Sequence, residues 1–297
     1  MERKKASDFD QELLDALDAY VHGRMTKAEF YLEAGKFAEK GGVTVDSLVD
    51  DLMPNYAFAK QVSEEDPAII CERMTYESPK GHGTIRGLLV RPTGATGLTP
   101  GVVVVHENRG LNPYIEDVAR RVGKAGFVAL APDGLSPCGG YPGTDEAGRE
   151  LQTGLDREKL AEDFFAAYEY LMARSDSNKK VGVVGFCFGG GIANAMAAKF
   201  PDLGAAVPFY GKQANLDDVP QIHAPLLIHY GGLDKRINDG HPAYEEALTN
   251  HNKTFTAHFY DQANHGFHND TTPRYDEQAA TLAWQRTIAF FNAHLRT

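Results

Sequence analysis

Apolar residues recur at helical spacing through the first 65 positions, and beyond them they gather into short runs. Between Phe9 and Tyr20 they fall at Leu13, Leu14 and Leu17, and between Thr26 and Lys40 at Phe30, Ala34, Phe37 and Ala38. This spacing predicts two or three helices, with Thr26 as a cap and Glu29 three residues on. Past residue 65, apolar runs at Gly101–His106, Phe127–Ala131, Lys180–Gly185, Ala205–Phe209, Leu226–Tyr230 and Thr254–Tyr260 alternate with segments that read as helices. Such alternation predicts an α/β domain with a mostly parallel central sheet. Ile69–Tyr76 and Thr84–Arg91, joined across ESPKGHG, read as an antiparallel hairpin leading into that sheet. The expected division is a helical extension over 1–65 and an α/β domain over 66–297, without an internal repeat or low-complexity tract. The apolar face of the extension must be covered, by docking on the domain or in a homodimer.

In an open parallel sheet the ligand site lies beyond the carboxyl ends of the strands, so the residues that follow each strand carry the chemistry. In KKVGVVGFCFGGGIANAMAAK, an apolar strand meets an alanine-rich helix at Cys187, within Gly185-Phe186-Cys187-Phe188-Gly189. This G-x-C-x-G is a nucleophile elbow with sulfur in place of oxygen. Buried cysteines are common, and glycine-rich turns often cradle phosphate. The spacing Gly182, Gly185, Gly189, however, is not G-x-G-x-x-G, and no phosphate-loop motif occurs. After the other strands come HENRG, then GGLDKR with Asp234, then DQANHGFH with His265. The chain order nucleophile, acid, histidine is that of the α/β-hydrolase fold. The helix N-terminus at Cys187 favours a thiolate and offers free N–H groups to a developing oxyanion.

Composition sets the surroundings of this chemistry. The chain has 297 residues, 42% of them hydrophobic and 24% charged, with a formal net charge of -11. That balance suits an acidic soluble protein with no general attraction to nucleic acid or anionic membrane. The N-terminus lacks an apolar core after its basic residues, and no run has the length of a membrane span, so a cytoplasmic protein is expected. Cys71, Cys138 and Cys187 form no disulfide or metal-ligand pattern, which fits a reducing compartment.

With HENRGLN, GFCFGGG, GGLD and NHGF, residues 66 to 297 resemble the dienelactone hydrolases (carboxymethylenebutenolidases), a cysteine branch of the α/β-hydrolase superfamily. The resemblance implies an α/β-hydrolase fold that cleaves an ester or lactone by way of a thioester, without cofactor or metal. It implies Cys187 as nucleophile, His265 as general base and acid, and Asp234 as the residue that orients the imidazole. Glu107 would match the family's glutamate beside the resting thiol, and the N–H groups of Phe188 and Asn108 would form the oxyanion hole. The 65-residue extension departs from the family, and its substrate-carboxylate arginines have no counterpart placed by motif. Arg109, Tyr141, Lys212, Arg236 and Arg274 are candidate substrate contacts.

Rivals remain at several positions. His268 competes with His265, Asp239 with Asp234, and His106 with Glu107 could be a metal pair, although HENRG lacks a second histidine at helical spacing. Cys138 is read as a bystander thiol. Other classes open to the same sequence are a peptidase using this triad and a non-catalytic or regulatory module. The expected partner is a small ester or lactone.

Overall fold

The computed structural model describes residues 3–296. It opens with α1 (Gln11–Val21), α2 (Lys27–Gly41) and α3 (Val45–Leu52). Thr26 and Glu29 form a reciprocal capping box at the start of α2: the Thr26 hydroxyl accepts from the Glu29 N–H, and the Glu29 carboxylate accepts from the Thr26 N–H. The apolar stripes of these helices meet each other. Leu13, Leu14, Leu17, Tyr20, Phe30, Ala34, Val49 and Leu52 form a small core of their own, in which the Tyr20 and Phe30 rings stack 4.9 Å apart.

Two antiparallel strands follow, β1 (Ile69–Ser78) and β2 (Gly83–Pro92). The chain then runs through β3 (Thr99–Val105), α4 (Pro113–Lys124), β4 (Val128–Pro132), α5 (Asp145–Thr153), α6 (Arg157–Ala173), β5 (Ser177–Phe186) and α7 (Phe188–Lys199). It continues with β6 (Ala205–Phe209), β7 (Leu226–Gly231), α8 (Lys235–Asn238), α9 (His241–Asn250), β8 (Phe255–Tyr260) and α10 (Glu277–Leu295). The eight strands form one sheet in the order β1-β2-β4-β3-β5-β6-β7-β8. All neighbours from β4 to β8 are parallel, and β2 runs antiparallel to both β1 and β4. The mostly parallel central sheet expected from the alternating runs is therefore present. β5 begins three residues before the apolar run, because Ser177 pairs with Thr99 across an irregular step. Polar Ser177, Asn178 and Lys179 gave that edge no hydrophobic signal.

Both faces of the central strands are buried. Val102 and Val104 of β3 join a core with Ile115, Val118 and Val122 of α4 and Phe291 and Leu295 of α10. Val103 and Val105 join the opposite core with Phe164 and Leu171 of α6 and Met196 of α7. Alternate residues thus face two helical layers, which is why the central strands read as unbroken apolar runs. The N-terminal helices lie against the loops that follow the strands. Gln11 donates to Asn264 at 2.7 Å, the Asn55 N–H to the Thr271 carbonyl at 2.7 Å, and Asn108 Nδ2 to the Val21 carbonyl at 2.7 Å.

Because the helices share a separate core, Phe30→Ala should loosen them first. Removing this buried ring should cost about 3–5 kcal/mol. Hydrogen exchange should show faster amides across 11–52 and unchanged protection in β3 to β7. An equal loss of protection in the sheet would mean that helices and sheet unfold as one unit.

Candidate active site

Cys187 stands between the end of β5 and the start of α7 with φ 55° and ψ -111°. A non-glycine residue adopts that conformation only when its surroundings enforce it, and here close backbone contacts do so. A Cβ on Gly185 would lie 1.9 Å from the Gly189 carbonyl oxygen, and one on Gly189 would lie 2.3 Å from the Val105 carbonyl oxygen. The two glycines let β5, α7 and β3 approach closely enough to push the cysteine outward. The backbone N–H groups of Phe188 and Asn108 donate to no protein group among the described residues.

The loop after β7 supplies Asp234 and the loop after β8 supplies His265. Asp234 Oδ2 accepts from His265 Nδ1 at 2.6 Å, and both residues are buried. That bond places the second ring nitrogen as an acceptor, and buried His265 Nε2 has no hydrogen-bond partner. Burial pushes the Asp234 carboxyl up, but the charge of His265 and its hydrogen bond, with Arg236 nearby, outweigh burial and hold it below its ordinary value. His268 sits elsewhere, buried against Phe186 and bonded to the Tyr114 hydroxyl at 2.7 Å. Asp239 ends α8 and makes no hydrogen bond to His265 among the described residues.

The thiol itself is met by a side chain absent from the sequence reading. His22, the residue capping the end of α1, brings Nε2 to 3.2 Å from Cys187 Sγ. Its Nδ1 lies 2.8 Å from the Asp18 carbonyl oxygen and 3.1 Å from Asp18 Oδ1. Burial lowers the proton affinity of His22, yet the Cys187 sulfur and the Asp18 bond outweigh it and raise the pKa above the ordinary imidazole value. Asp18 is pushed up by burial and pulled down more strongly by its His22 bond and by the charges of His265, His22 and Arg274, ending well below the carboxylate range. Arg236, a candidate substrate contact, is held in this cluster, with Nε 3.2 Å from Asp18 Oδ2 and Nη2 3.2 Å from His22 Nε2. Arg274 lies 3.7 Å from Asp18 Oδ1. Nothing in the sequence links positions 22 and 187, since the contact arises only when α1 docks on the strand ends.

Glu107 is almost fully buried; its Oε2 accepts from Asn269 Nδ2 at 3.0 Å and lies 3.7 Å from Arg109 Nε. The hydrogen bond of the thiol runs to His22. Arg109 also pairs with Asp145 at 2.7 Å, and the Tyr141 hydroxyl donates to the same carboxylate at 3.0 Å, so both belong to a neighbouring polar cluster. The ring nitrogens of His106 are both engaged, Nδ1 with the Glu107 carbonyl and Nε2 with the Gly134 N–H at 3.0 Å, which leaves no free ligand atom. Cys138 is exposed and Cys71 partly buried.

A cavity of about 880 Å³ opens over the elbow, lined by His22, Asn108, Cys187, Phe188 and Lys212 among others. Phe165, Ile192 and Ala195 give it apolar walls, and Arg149 and Arg157 add positive charge. The two arginines carried no motif and were missed in the sequence. The ligand atoms of His22, Cys187 and His265 lie within 4.8 Å of one another. Their types suit a soft cation, but each imidazole is oriented by an aspartate as in a proton-transfer site, and no metal is assigned.

The model of the dienelactone hydrolase family matches residues 85–295, and a second model, YqhI-like, matches residues 1–36. A hydrolase fragment, YghX, of Escherichia coli is 65% identical over 114 residues, covering 38% of this chain and 97% of its own length. Carboxymethylenebutenolidase of Pseudomonas putida is 32% identical over 238 residues, 75% of this chain and 96% of the relative. Among solved structures, the dienelactone hydrolase-like promiscuous phosphotriesterase P91 from metagenomic libraries superposes with a TM-score of 0.66 at 25% identity, over 76% of this chain and 99% of that one.

The raised pKa of His22 has a consequence for stability. A group protonated more readily in the folded state stabilises it fully below the unfolded value, about 6.5, and loses that contribution as pH rises through the folded value. The stability difference between wild type and His22→Gln should therefore be largest near pH 6 and narrow as pH rises. Urea unfolding at a series of pH values measures it, and a difference that widens with pH would contradict the assigned direction.

Proposed function

The chain belongs to the dienelactone hydrolase family and is a carboxylic ester or lactone hydrolase, and from that premise we propose that it works through a thioester on Cys187, with His265 and Asp234 as the base and its orienting acid. The observation that carries this reading is the elbow: a cysteine held at φ 55°, facing a cavity, near an imidazole whose Nδ1 is fixed by Asp234 at 2.6 Å and whose Nε2 is unpartnered. The sulfur attacks the carbonyl carbon and the oxyanion forms between the free N–H groups of Phe188 and Asn108. Collapse expels the alcohol, which takes up the proton that the thiol gave up and in a lactone stays tethered to the acyl chain. His265 then takes a proton from water, the hydroxide opens the thioester, and the thiolate leaves. Glu107 has a positioning role, tying Asn269 of the loop after β8 to Arg109 of the loop after β3.

The walls of the cavity suggest the kind of substrate. Arg149, Arg157 and Lys212 line it beside apolar side chains, and none of the three forms an ion pair among the described residues. With Asp218 the single acidic residue among those lining the cavity, this excess of cations against an apolar wall suits a small lactone or enol ester bearing a carboxylate. In the same reading, residues 66–297 form the hydrolytic domain and residues 1–65 an extension that closes one side of the site.

Hydrolysis of p-nitrophenyl acetate and of a carboxylated lactone tests both halves. Cys187→Ala and His265→Ala should each lower kcat on the order of 10³-fold or more, and the double variant should be little worse than either, because the two act as a unit. Losses that multiply would argue against the assigned pair. Arg157→Ala and Lys212→Ala should raise KM for the carboxylated lactone about tenfold each, the effect of losing roughly 1.4 kcal/mol of binding, and leave the neutral ester unaffected. Equal effects on both substrates would remove the anion from the account.

A further inference from the structure

Two histidine–aspartate pairs converge on the sulfur, and they are not oriented alike. His22 Nδ1 faces two oxygens, the Asp18 carbonyl at 2.8 Å and Asp18 Oδ1 at 3.1 Å, so that nitrogen carries the hydrogen and donates. The lone pair of the neutral ring is then on Nε2, which stands 3.2 Å from Cys187 Sγ. In His265 the same tautomer is fixed by Asp234, yet its Nε2 touches no partner, and no hydrogen bond joins it to the thiol. The two rings meet edge to face with centroids 4.7 Å apart. One imidazole thus holds the thiol while the other keeps a free lone pair within the same cluster.

We propose that His22, supplied by the N-terminal extension, is a catalytic residue that takes the Cys187 proton and returns it to the leaving group, leaving His265 to activate water. The proposal rests on the thioester reading above and divides its proton transfers between two bases. In the first half, Nε2 of His22 accepts the thiol proton, the thiolate bonds to the carbonyl carbon, and the carbon–oxygen bond to the alcohol breaks as His22 protonates the departing oxygen. In the second half, His265 Nε2 takes a proton from water, the oxygen bonds to the thioester carbon, and the carbon–sulfur bond breaks to release the acid and thiolate. The proton on His265 passes to the thiolate, directly or by way of His22, and the starting state returns. The sum is ester plus water giving acid plus alcohol, with no other reactant.

The charged surroundings of His22 support this role. Asp18 faces it from α1, and the carbonyl end of that helix favours a cation at its cap. Cys187 faces it from the start of α7 and His265 from the loop after β8. Arg236 opposes protonation, with Nη2 3.2 Å from His22 Nε2, but Arg236 Nε is itself paired with Asp18 at 3.2 Å. Arg24, 2.7 Å from Asp18, and Arg274, 3.7 Å from it, keep that carboxylate ionised. Asn108 ties the position of His22 to the oxyanion loop by donating to the Val21 carbonyl at 2.7 Å.

The test uses the full chain with iodoacetamide as thiol probe and p-nitrophenyl acetate for pre-steady-state release of p-nitrophenol. His22→Gln keeps a polar side chain of similar reach but cannot take a proton. It should slow alkylation of Cys187 at pH 7 at least tenfold and slow the burst by a similar factor. His265→Gln should keep a burst of near wild-type rate and lose the steady-state turnover that follows. Asp18→Asn, which leaves the imidazole in place, should slow alkylation at pH 7 as His22→Gln does. It serves as the second variant should His22→Gln fold poorly by circular dichroism. A wild-type alkylation rate and burst in both His22→Gln and Asp18→Asn would overturn the proposal while the thioester reading stood. Retained turnover in Cys187→Ala would overturn the thioester reading itself, and the proposal with it.

Discussion

The backbone at Cys187, bent to φ 55° and ψ -111°, is the constraint on which the site depends. An L-residue so placed is strained by about 1–3 kcal/mol, and the strain persists because β5 and α7 are locked into the two cores on either side of the sheet. The near contacts at Gly185 and Gly189 show how little room the turn has: any side chain there would collide with backbone rather than with a movable group. With the turn fixed, the first N–H of α7 and the thiol leave the sheet in a defined direction. Apart from His22 at the end of α1, the residues grouped around them come from the loops after β3, β7 and β8, and the hydrogen-bonded ladder of the sheet sets the spacing of those loops. A site assembled from strand ends takes its precision from the sheet, whatever the mobility of the loops.

Charge arrangement is the second determinant. The chain is acidic overall, at -11, but around the thiol the sign reverses, with Arg236 and Arg274 grouped about Asp18 and with Arg149, Arg157 and Lys212 in the cavity wall. Cations near a buried sulfur favour the thiolate, and cations in a partly apolar cavity favour an anionic substrate. The Asp18 carboxylate lets these cations lie close together. Without it, Arg236 and Arg274 would lose the carboxylate they share beside the His22 imidazole.

The sequence showed the sheet and the motifs at its strand ends with little ambiguity. Central strands buried on both faces must be apolar throughout, so β3 and β5 to β7 stood out as runs, and the residues after them were found by position alone. The family resemblance drawn from those motifs agrees with the family match over 85–295. The approach of Cys187, His265 and Asp234 to one another could be expected from chain order and topology, because strand order places those loops side by side. His22 could not be found this way. Its part in the site depends on how a helix of the extension docks on another part of the chain, and neither periodicity nor a local motif encodes that docking. Arg149 and Arg157 escaped for a related reason: they lie in helices α5 and α6, and no motif marks where those helices border the cavity. Glu107 was expected beside the thiol from resemblance, while its hydrogen bond in the fold runs to Asn269.

The claim that everything else serves is that the acyl group is carried on Cys187. Intact-mass spectrometry of wild-type protein, acid-quenched within milliseconds of mixing with a slowly hydrolysed lactone, tests it directly. The account predicts a transient species heavier by the whole mass of the lactone, since ring opening leaves the alcohol on the acyl chain, with the added mass on the peptide that contains Cys187. A quenched protein that never gains mass during turnover, or gains it only at Cys71 or Cys138, would contradict the account.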